Sequence, residues 1–495
     1  MHRFFIIFIL ATCILFDNKV GAQQSASFHT NKIVQLQERL SSFISQSRFT
    51  NAQWGIKIVS LDNGQTIFEH NADRLMIPAS NTKLFTAALA LERLGPEHRI
   101  ITSCYSTTRP ATDGTLAGDL LVFGRGDPTF STRFNGEGHA LDPLVNAIMN
   151  AGIKRIEGDL VADDTYFHTS SHGNGWPKAD FHRGYSASVS AVIANDNVIG
   201  FTLIPGKQPG EPCRLEAKTN FFTFVNRVVT GKPRTAPSVL QNFSDKQPLV
   251  TLTGSLPANG APFENAVAMP DPVLCAMVQL KEALVRRGVT VAGKPRVLGS
   301  TTFPSNRIEI ATIESHPMKE IVHETMKASQ NLYAQLLLLE VGALSRGTNL
   351  SAAADEYGVA ELEKFTKQIG IPPGTVLLKE GAGLSPGSRI APSSMITLLT
   401  YMSHHRDAAL YKDSLPIAGV DGTLYSRFNH TEVEKRLRAK TGTMEGVSTL
   451  SGYLITKNNE NWAISVMLNH YSGKKTTARD ESDAFVRLLV KFSGN

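Results

Sequence analysis

The chain has 495 residues, about three domains' worth at roughly 150 residues each, so a nested or serial multidomain arrangement is expected. Hydrophobic residues make up 42% and charged residues 19%, with Gly 39 and Pro 24 spread along the length, which excludes a disordered, collagen-like or coiled-coil chain. The net charge of +6 arises from 50 basic against 44 acidic residues, a bias that describes a solvated surface, and no nucleic-acid partner is expected.

Residues 1–22 contain Arg3, an apolar run of 13 residues from Phe4 to Phe16, and a small-x-small end at Val20-Gly21-Ala22. This pattern predicts a secretory signal peptide cleaved after Ala22, and hence a periplasmic or cell-envelope location. A spanning helix needs about 20 apolar residues, which Asp17 denies this run, and no later segment carries 18 in a row. The mature chain is therefore not expected to span a membrane. Removing Arg3, Asp17 and Lys19 lowers its net charge from +6 to +5. Cys13 leaves with the signal, while Cys104, Cys213 and Cys275 permit at most one disulfide and match no zinc spacing.

An amphipathic pattern predicts a helix over 31–47, followed by strands at 54–60 and 65–70 joined through Asp62-Asn63-Gly64, a hairpin signal. Residues 79–94 form an Ala/Leu-rich helix closed by Gly95-Pro96. The region 96–312 differs in texture. Short β-like runs (120–123, 158–162, 189–193, 199–204, 249–253) lie between Gly, Pro, Asp and Asn clusters, with one clear helix at 272–287. Two helices follow, at 318–328 and 332–344. Lys440-Thr441-Gly442 opens a strand, two β-rich runs follow at 447–455 and 462–468, and 480–492 is a final helix. Helices and antiparallel strands thus occupy both ends of the chain. If the two ends, 23–95 and 313–495, form one α/β domain, then 96–312 is an insertion into it, a size that fits two small β-rich domains.

Three short patterns offer chemistry. In Ser80-x-x-Lys83, helical spacing brings an amine within reach of a hydroxyl, and a lysine kept neutral by burial can activate a serine. The start of a helix also presents N–H groups to a developing oxyanion. The same residues serve equally as a helix cap and a surface lysine, and Ser472–Lys475 matches the pattern too. Ser329-Gln330-Asn331, at a helix junction, pairs a hydroxyl with an amide, suited to proton relay and amide binding, or to plain capping. Lys440-Thr441-Gly442-Thr443 combines a cation, two hydroxyls and a glycine that admits a ligand to the backbone, or simply starts a strand.

Other candidates fail on mechanism. Gly383-Leu384-Ser385-Pro386-Gly387 matches a nucleophile elbow, but that device uses the N–H after the serine and Pro386 has none, so Ser385 is read as a turn residue. His323-Glu324 lacks the second histidine of a zinc protease, His404-His405 is read as a surface pair, and Gly124–Asp127 is not followed by the Lys of a phosphate loop.

Ser-x-x-Lys, Ser-x-Asn and Lys-Thr-Gly, in this order and context, resemble the signature of the penicillin-recognising serine enzymes. The stretches 118–129, 156–167, 415–424 (LPIAGVDGTL) and 439–453 (AKTGTMEGVSTLSGY) are similar to one branch, the class C low-molecular-mass penicillin-binding proteins of the penicillin-binding protein 4 type. That branch carries extra domains between the first and second motifs, as the 249-residue separation of Ser80 and Ser329 requires. The fold implied is α/β: a serine β-lactamase/DD-peptidase-like catalytic domain, an antiparallel sheet flanked by helices, with β-rich insertions. The activity implied is D-alanyl-D-alanine carboxypeptidase or endopeptidase action on peptidoglycan stem peptides, with β-lactam antibiotics as covalent inhibitors and no metal or cofactor. By motif, Ser80 is the acylated nucleophile and Lys83 its base, helped to stay neutral by the charge of Lys440. Ser329 passes a proton to the leaving amine, and Asn331 binds the substrate backbone. Lys440, Thr441 and Thr443 hold the terminal carboxylate beside Gly442, and the N–H groups of Ser80 and Thr443 form the oxyanion hole. Asp164 and Glu445 are the acidic candidates for an amine on the substrate. The branch often has an Arg where Pro386 follows Ser385. A β-lactamase and a noncatalytic cell-wall-binding protein are the rival functions.

Overall fold

A computed structural model of the chain describes residues 31–49, 51–217, 219, 221–244, 247–299 and 303–492. The expected signal peptide at 1–22 lies outside them. The two ends of the chain meet in one antiparallel five-stranded sheet. Its strands are β1 (Gln53–Ser60), β2 (Thr66–His70), β3 (Leu437–Met444), β4 (Val447–Ile455) and β5 (Asn461–Asn469), in the order β3-β4-β5-β1-β2. The early hairpin turns through Gly64, whose φ of 74° suits glycine. β1 then pairs with β5 along its whole length, from Gln53 opposite Asn469 to Ser60 opposite Trp462.

β4 and β5 are buried along almost their entire length because both faces of the sheet are covered. Alternation divides their side chains: Ile464, Val466 and Leu468 join one core, and Ala463 and Met467 the other. The first face is covered by α1 (31–45) and α6 (Lys475–Val490), with Leu40, Trp54 and Phe485 at its centre. The second carries α2 (Thr82–Leu94), α3 (Met318–Lys327), α4 (Asn331–Ser345) and α5 (Pro392–Ser403).

α4 has no polar face: every residue from Asn331 to Ala343 is buried. A helix apolar all round is a shared wall. Leu337, Leu338 and Val341 face the catalytic core, while Leu336, Leu339 and Ala343 pack against Phe167, Trp176 and Ile193 of the inserted region. That region leaves along Ile101–Ser106 and returns along Ile308–Glu314, and these strands pair antiparallel from Ile101 opposite Glu314 to Ser106 opposite Ile308. The insertion is thus closed at its root by a ladder.

Beyond the root are two packing centres. In the first, the root strands continue into Leu120–Phe123, Leu160–Asp163 and Pro295–Val297, covered by helices Asp142–Asn150 and Pro272–Arg286. In the second, the three-stranded sheets Arg214–Glu216/Val198–Ile204/Phe263–Ala268 and Thr223–Gly231/Leu249–Pro257/Ser238–Phe243 enclose Phe201, Leu203, Val228 and Leu252.

Several local expectations are corrected. Residues 189–193 form no strand; they are a buried irregular segment whose Ala191 and Val192 N–H groups donate to the Asp164 carboxylate, so a side chain replaces a ladder. The Lys-Thr-Gly motif lies inside β3 rather than at its start. Helix Asp142–Asn150 was not expected, and α6 begins earlier than 480. Cys104, Cys213 and Cys275 are buried free thiols, so none of them forms the allowed disulfide.

α6 is tied to the loop that precedes β3 by a buried, two-pronged ion pair between Arg427 and Asp483. Asp483→Ala leaves the guanidinium buried without its partner and is expected to lower the unfolding free energy by about 3 kcal/mol or more, measured by urea denaturation.

Candidate active site

Four segments far apart in sequence converge at one end of the catalytic sheet. Ser80 sits in a 3-10 turn, Ala79–Asn81, that leads into α2. The turn is fastened to the sheet at two points: Asn81 Nδ2 donates to Ser451 Oγ at 2.7 Å, and Thr449 Oγ1 donates to Pro78 O at 2.9 Å. Ala79 is held at a φ of 46°, which costs an alanine about 1–2 kcal/mol. This kink presents the Ser80 hydroxyl to the cleft.

Lys83, one turn along α2, is fully buried. Its Nζ lies 3.0 Å from Ser80 Oγ, donates to Asn331 Oδ1 at 2.6 Å, and donates to the carbonyl of Ala382. Burial pulls its pKa down to about 7, against an opposing pull from the Glu380 carboxylate. An amine near neutrality beside a serine hydroxyl is a general base in position.

Ser329 lies between α3 and α4 at a φ of 58°. Its Oγ accepts from Lys440 Nζ at 2.8 Å, and Lys440 also donates to Thr441 O at 2.9 Å. Lys440 is fully buried, and its pKa is driven well below the usual lysine range by burial and by the nearby charge of Lys83. The expectation that the charge of Lys440 helps keep Lys83 neutral is thereby corrected: burial lowers the Lys83 pKa, and the repulsion between the two amines falls on Lys440. Nor does Lys440 reach the surface. Its amine lies behind Ser329, leaving the accessible groups of β3 to Thr441 and the exposed Thr443. Thr441 Oγ1 is itself anchored by Thr423 Oγ1 at 2.8 Å.

Two glycines permit the convergence. A Cβ on Gly442 would lie 2.2 Å from Thr449 Oγ1, 2.8 Å from Pro78 O and 3.0 Å from Ser80 N. One on Gly383, where φ is 85°, would lie 2.0 Å from Ala79 O. β3 and the 381–385 loop therefore press directly on the backbone around the nucleophile.

The inserted region completes the site. Asn331 Nδ2 donates to Tyr185 O at 2.7 Å. Asp196, the middle of three consecutive left-handed residues, Asn195-Asp196-Asn197, accepts from Gln330 Nε2 at 3.0 Å and Tyr333 OH at 2.5 Å, and so holds the Ser329–Asn331 segment from both sides. Trp176 Nε1 donates to Glu380 Oε2 at 3.0 Å. Sequence reasoning missed Asp196 and Glu380. The available signals were the rare Asn-Asp-Asn run of left-handed-prone residues and an acidic residue preceding Gly381-Ala382-Gly383.

The structure brings Ser80, Lys83, Ser329, Asn331, Lys440, Thr441 and Gly442 together, with Thr443 next on the strand. It gives the two acidic candidates other settings. Asp164 spends its Oδ1 on the N–H groups of Ala191 and Val192, which makes it a bolt for that loop, and burial pushes its pKa up to about 6. Glu445 is exposed in the turn after β3. Ser385 is a buried turn residue, as read. His404 and His405 are not a surface pair: the His405 side chain is 5% exposed and its Nε2 lies 2.8 Å from Glu92 Oε2. Among the described residues no group of three or more His, Cys, Asp and Glu is placed to hold a metal ion.

Gly383→Ala forces either the nucleophile turn or its neighbour loop to move, and is expected to cost about 2 kcal/mol or more of unfolding free energy in urea titrations.

The chain was compared with known proteins. The model of the D-Ala-D-Ala carboxypeptidase 3 (S13) family matches residues 36–491. A D-alanyl-D-alanine carboxypeptidase from Actinomadura sp. (strain R39) is 30% identical over 477 residues, covering 94% of this chain and 86% of that protein. The crystal structure of penicillin binding protein 4 from Haemophilus influenzae superposes with a TM-score of 0.74 at 24% identity, over 92% of this chain and 99% of that one. The same protein complexed with a β-lactam gives 0.70 at 25% identity, over 91% and 98%. The family model spans both ends of the chain and the region between them, and the chain belongs to the D-Ala-D-Ala carboxypeptidase 3 (S13) family.

Proposed function

We propose that this protein hydrolyses the D-Ala-D-Ala bond of peptidoglycan stem peptides through an acyl-enzyme on Ser80, in the cell envelope. The observation that carries the reading is the placement of a buried amine, Lys83 Nζ, between Ser80 Oγ at 3.0 Å and Asn331 Oδ1 at 2.6 Å. Family membership supplies the substrate class. Among the described residues no helix is long and apolar enough to cross a membrane, which agrees with action by the released mature chain.

The residues then divide the work as follows. Neutral Lys83 takes the Ser80 proton as Oγ bonds to the penultimate D-alanine carbonyl carbon. The oxyanion is received by the N–H groups of Ser80 and Thr443, which the bare Cα of Gly442 allows to lie close together. Ser329, backed by Lys440, passes a proton to the terminal D-alanine nitrogen as the C–N bond breaks. Asn331 orients the substrate backbone, and Thr441 and Thr443 meet the terminal carboxylate in the positive field of Lys440. Water hydrolyses the ester and restores Ser80. A β-lactam presents a similar carbonyl and carboxylate, so it acylates the same serine.

The pH dependence follows from Lys83. Its neutral fraction grows as pH rises through about 7, so the rate of Ser80 acylation is expected to climb between pH 6 and 8 and then level off. Stopped-flow acylation by a chromogenic β-lactam measures this; a rate independent of pH across that range refutes the assignment of the base.

The activity itself is tested by incubating the mature protein, and Ser80→Ala, with a muropeptide monomer and a cross-linked dimer, with fragments identified by mass. Release of D-alanine from the monomer by the wild type and not by the variant is the expected result. Cleavage of the dimer adds endopeptidase action. Rapid turnover of penicillin without peptide cleavage indicates a β-lactamase, and absence of any adduct on Ser80 indicates a noncatalytic binding protein.

A further inference from the structure

Glu380 is a fully buried acidic side chain whose ligands are all neutral N–H groups: Trp176 Nε1 at 3.0 Å, Ala382 N at 2.7 Å, Gly383 N at 2.8 Å and Ser385 N at 3.3 Å. Both oxygens accept, which is the bonding of an ionised carboxylate. These bonds curl the 381–385 loop around the carboxylate and turn its carbonyls outward onto α2. Ala382 O accepts from Lys83 Nζ, and Gly381 O accepts from Thr86 Oγ1 at 2.8 Å. Gln335 of α4 closes the loop by accepting from Gly381 N at 2.8 Å.

A buried negative charge therefore stands behind the amine proposed as the base, with one loop carbonyl bonded to that amine. Acylation makes a positive charge there: the Ser80 O–H bond breaks, an N–H bond forms on Lys83, and the Oγ–C bond forms. In a dry site such an ammonium is costly without a compensating charge. Among the described residues the other titratable group that acts on Lys83's surroundings is Lys440 on β3, which cannot supply a negative charge; Asn331 on α4 offers a neutral amide.

We propose that Glu380 is the positioning residue of the catalytic base: it fixes the carbonyl that aims Lys83 at Ser80, and its charge stabilises the lysine ammonium formed during acylation. Glu380 neither gains nor loses a proton, and the trio Ser80–Lys83–Glu380 works as nucleophile, base and orienting anion. The donor from Trp176 makes the inserted region part of this device. The inference rests on the reading of Ser80 and Lys83 given above.

The carboxylate holds the Lys83 pKa up against burial, so removing its charge lowers that pKa further. In Glu380→Gln, the acidic limb of Ser80 acylation by a chromogenic penicillin is expected to move to lower pH by about half a unit or more. The plateau rate is expected to fall about 10-fold or more. Trp176→Phe keeps the ring but removes one donor, leaving more of the charge to act on Lys83, and moves the limb to higher pH. A merely structural role lowers the plateau without moving the limb. Because the Gln amide meets several N–H donors, the fold of each variant is checked by circular dichroism and thermal melting; if Glu380→Gln does not fold, Trp176→Phe decides alone. A limb unmoved in the folded variants, with the wild type acylated on Ser80, overturns this proposal only. Absence of a wild-type adduct at every pH overturns the functional reading, and this one with it.

Discussion

The site depends on one constraint: an amine must be kept out of water without losing its hydrogen bonds. Lys83 has no exposed surface, and its ammonium hydrogens can be satisfied only by groups delivered from elsewhere. Ser80 comes from its own helix, Asn331 from the start of α4, and the Ala382 carbonyl from a loop some three hundred residues away in sequence, a separation of 299. Burial depresses the pKa to about 7, and the same burial makes each of these partners obligatory. Displacing any one of them leaves a buried donor without an acceptor.

The approach of those segments is bought with conformational freedom at a few positions. Ala79, next to Ser80, and Ser329, the first residue of the second motif, both adopt left-handed backbone. Gly383 and Gly442 supply the absence of side chains that lets a loop and a strand touch the backbone around Ser80. Rigid packing elsewhere retains these strained residues: the nucleophile turn is bonded to β4 through Ser451 and Thr449, and the second motif is held by Asp196.

The inserted region is a structural partner of catalysis as well as an appendage. It shares α4 as a wall and contributes Trp176, Tyr185 and Asp196 to the residues that hold Glu380, Asn331 and Gln330. Its root strands close on one another beside α2 and α3, so the long excursion between the first two motifs returns to the place from which it left. The insertion therefore adds little freedom to the site it interrupts.

The sequence alone carried the α/β plan, the terminal strands, several helices and the three motifs, because each is a local pattern: β-rich runs for β4 and β5, an Ala/Leu-rich run closed by Gly95-Pro96 for α2, and residues at fixed spacing for Ser80–Lys83 and Ser329–Asn331. What it missed depends on contacts between distant segments. Residues 189–193 look like a strand but answer to the Asp164 carboxylate, His405 looks like a surface residue but meets Glu92, and Asp164 looks like a ligand group but bolts a loop. Glu380 and Asp196 carry only faint local signals, an acidic residue before Gly381-Ala382-Gly383 and the middle of an Asn-Asp-Asn run, and neither says what the side chain meets. That Lys83 is in fact buried was equally hidden, since burial is a property of the assembled core. Spacing along the chain thus determined which residues stand side by side or one turn apart, while only the tertiary structure decided which are dry, which charges face them and which backbone atoms hold them, because solvation and hydrogen-bond satisfaction are set by neighbours from the whole chain.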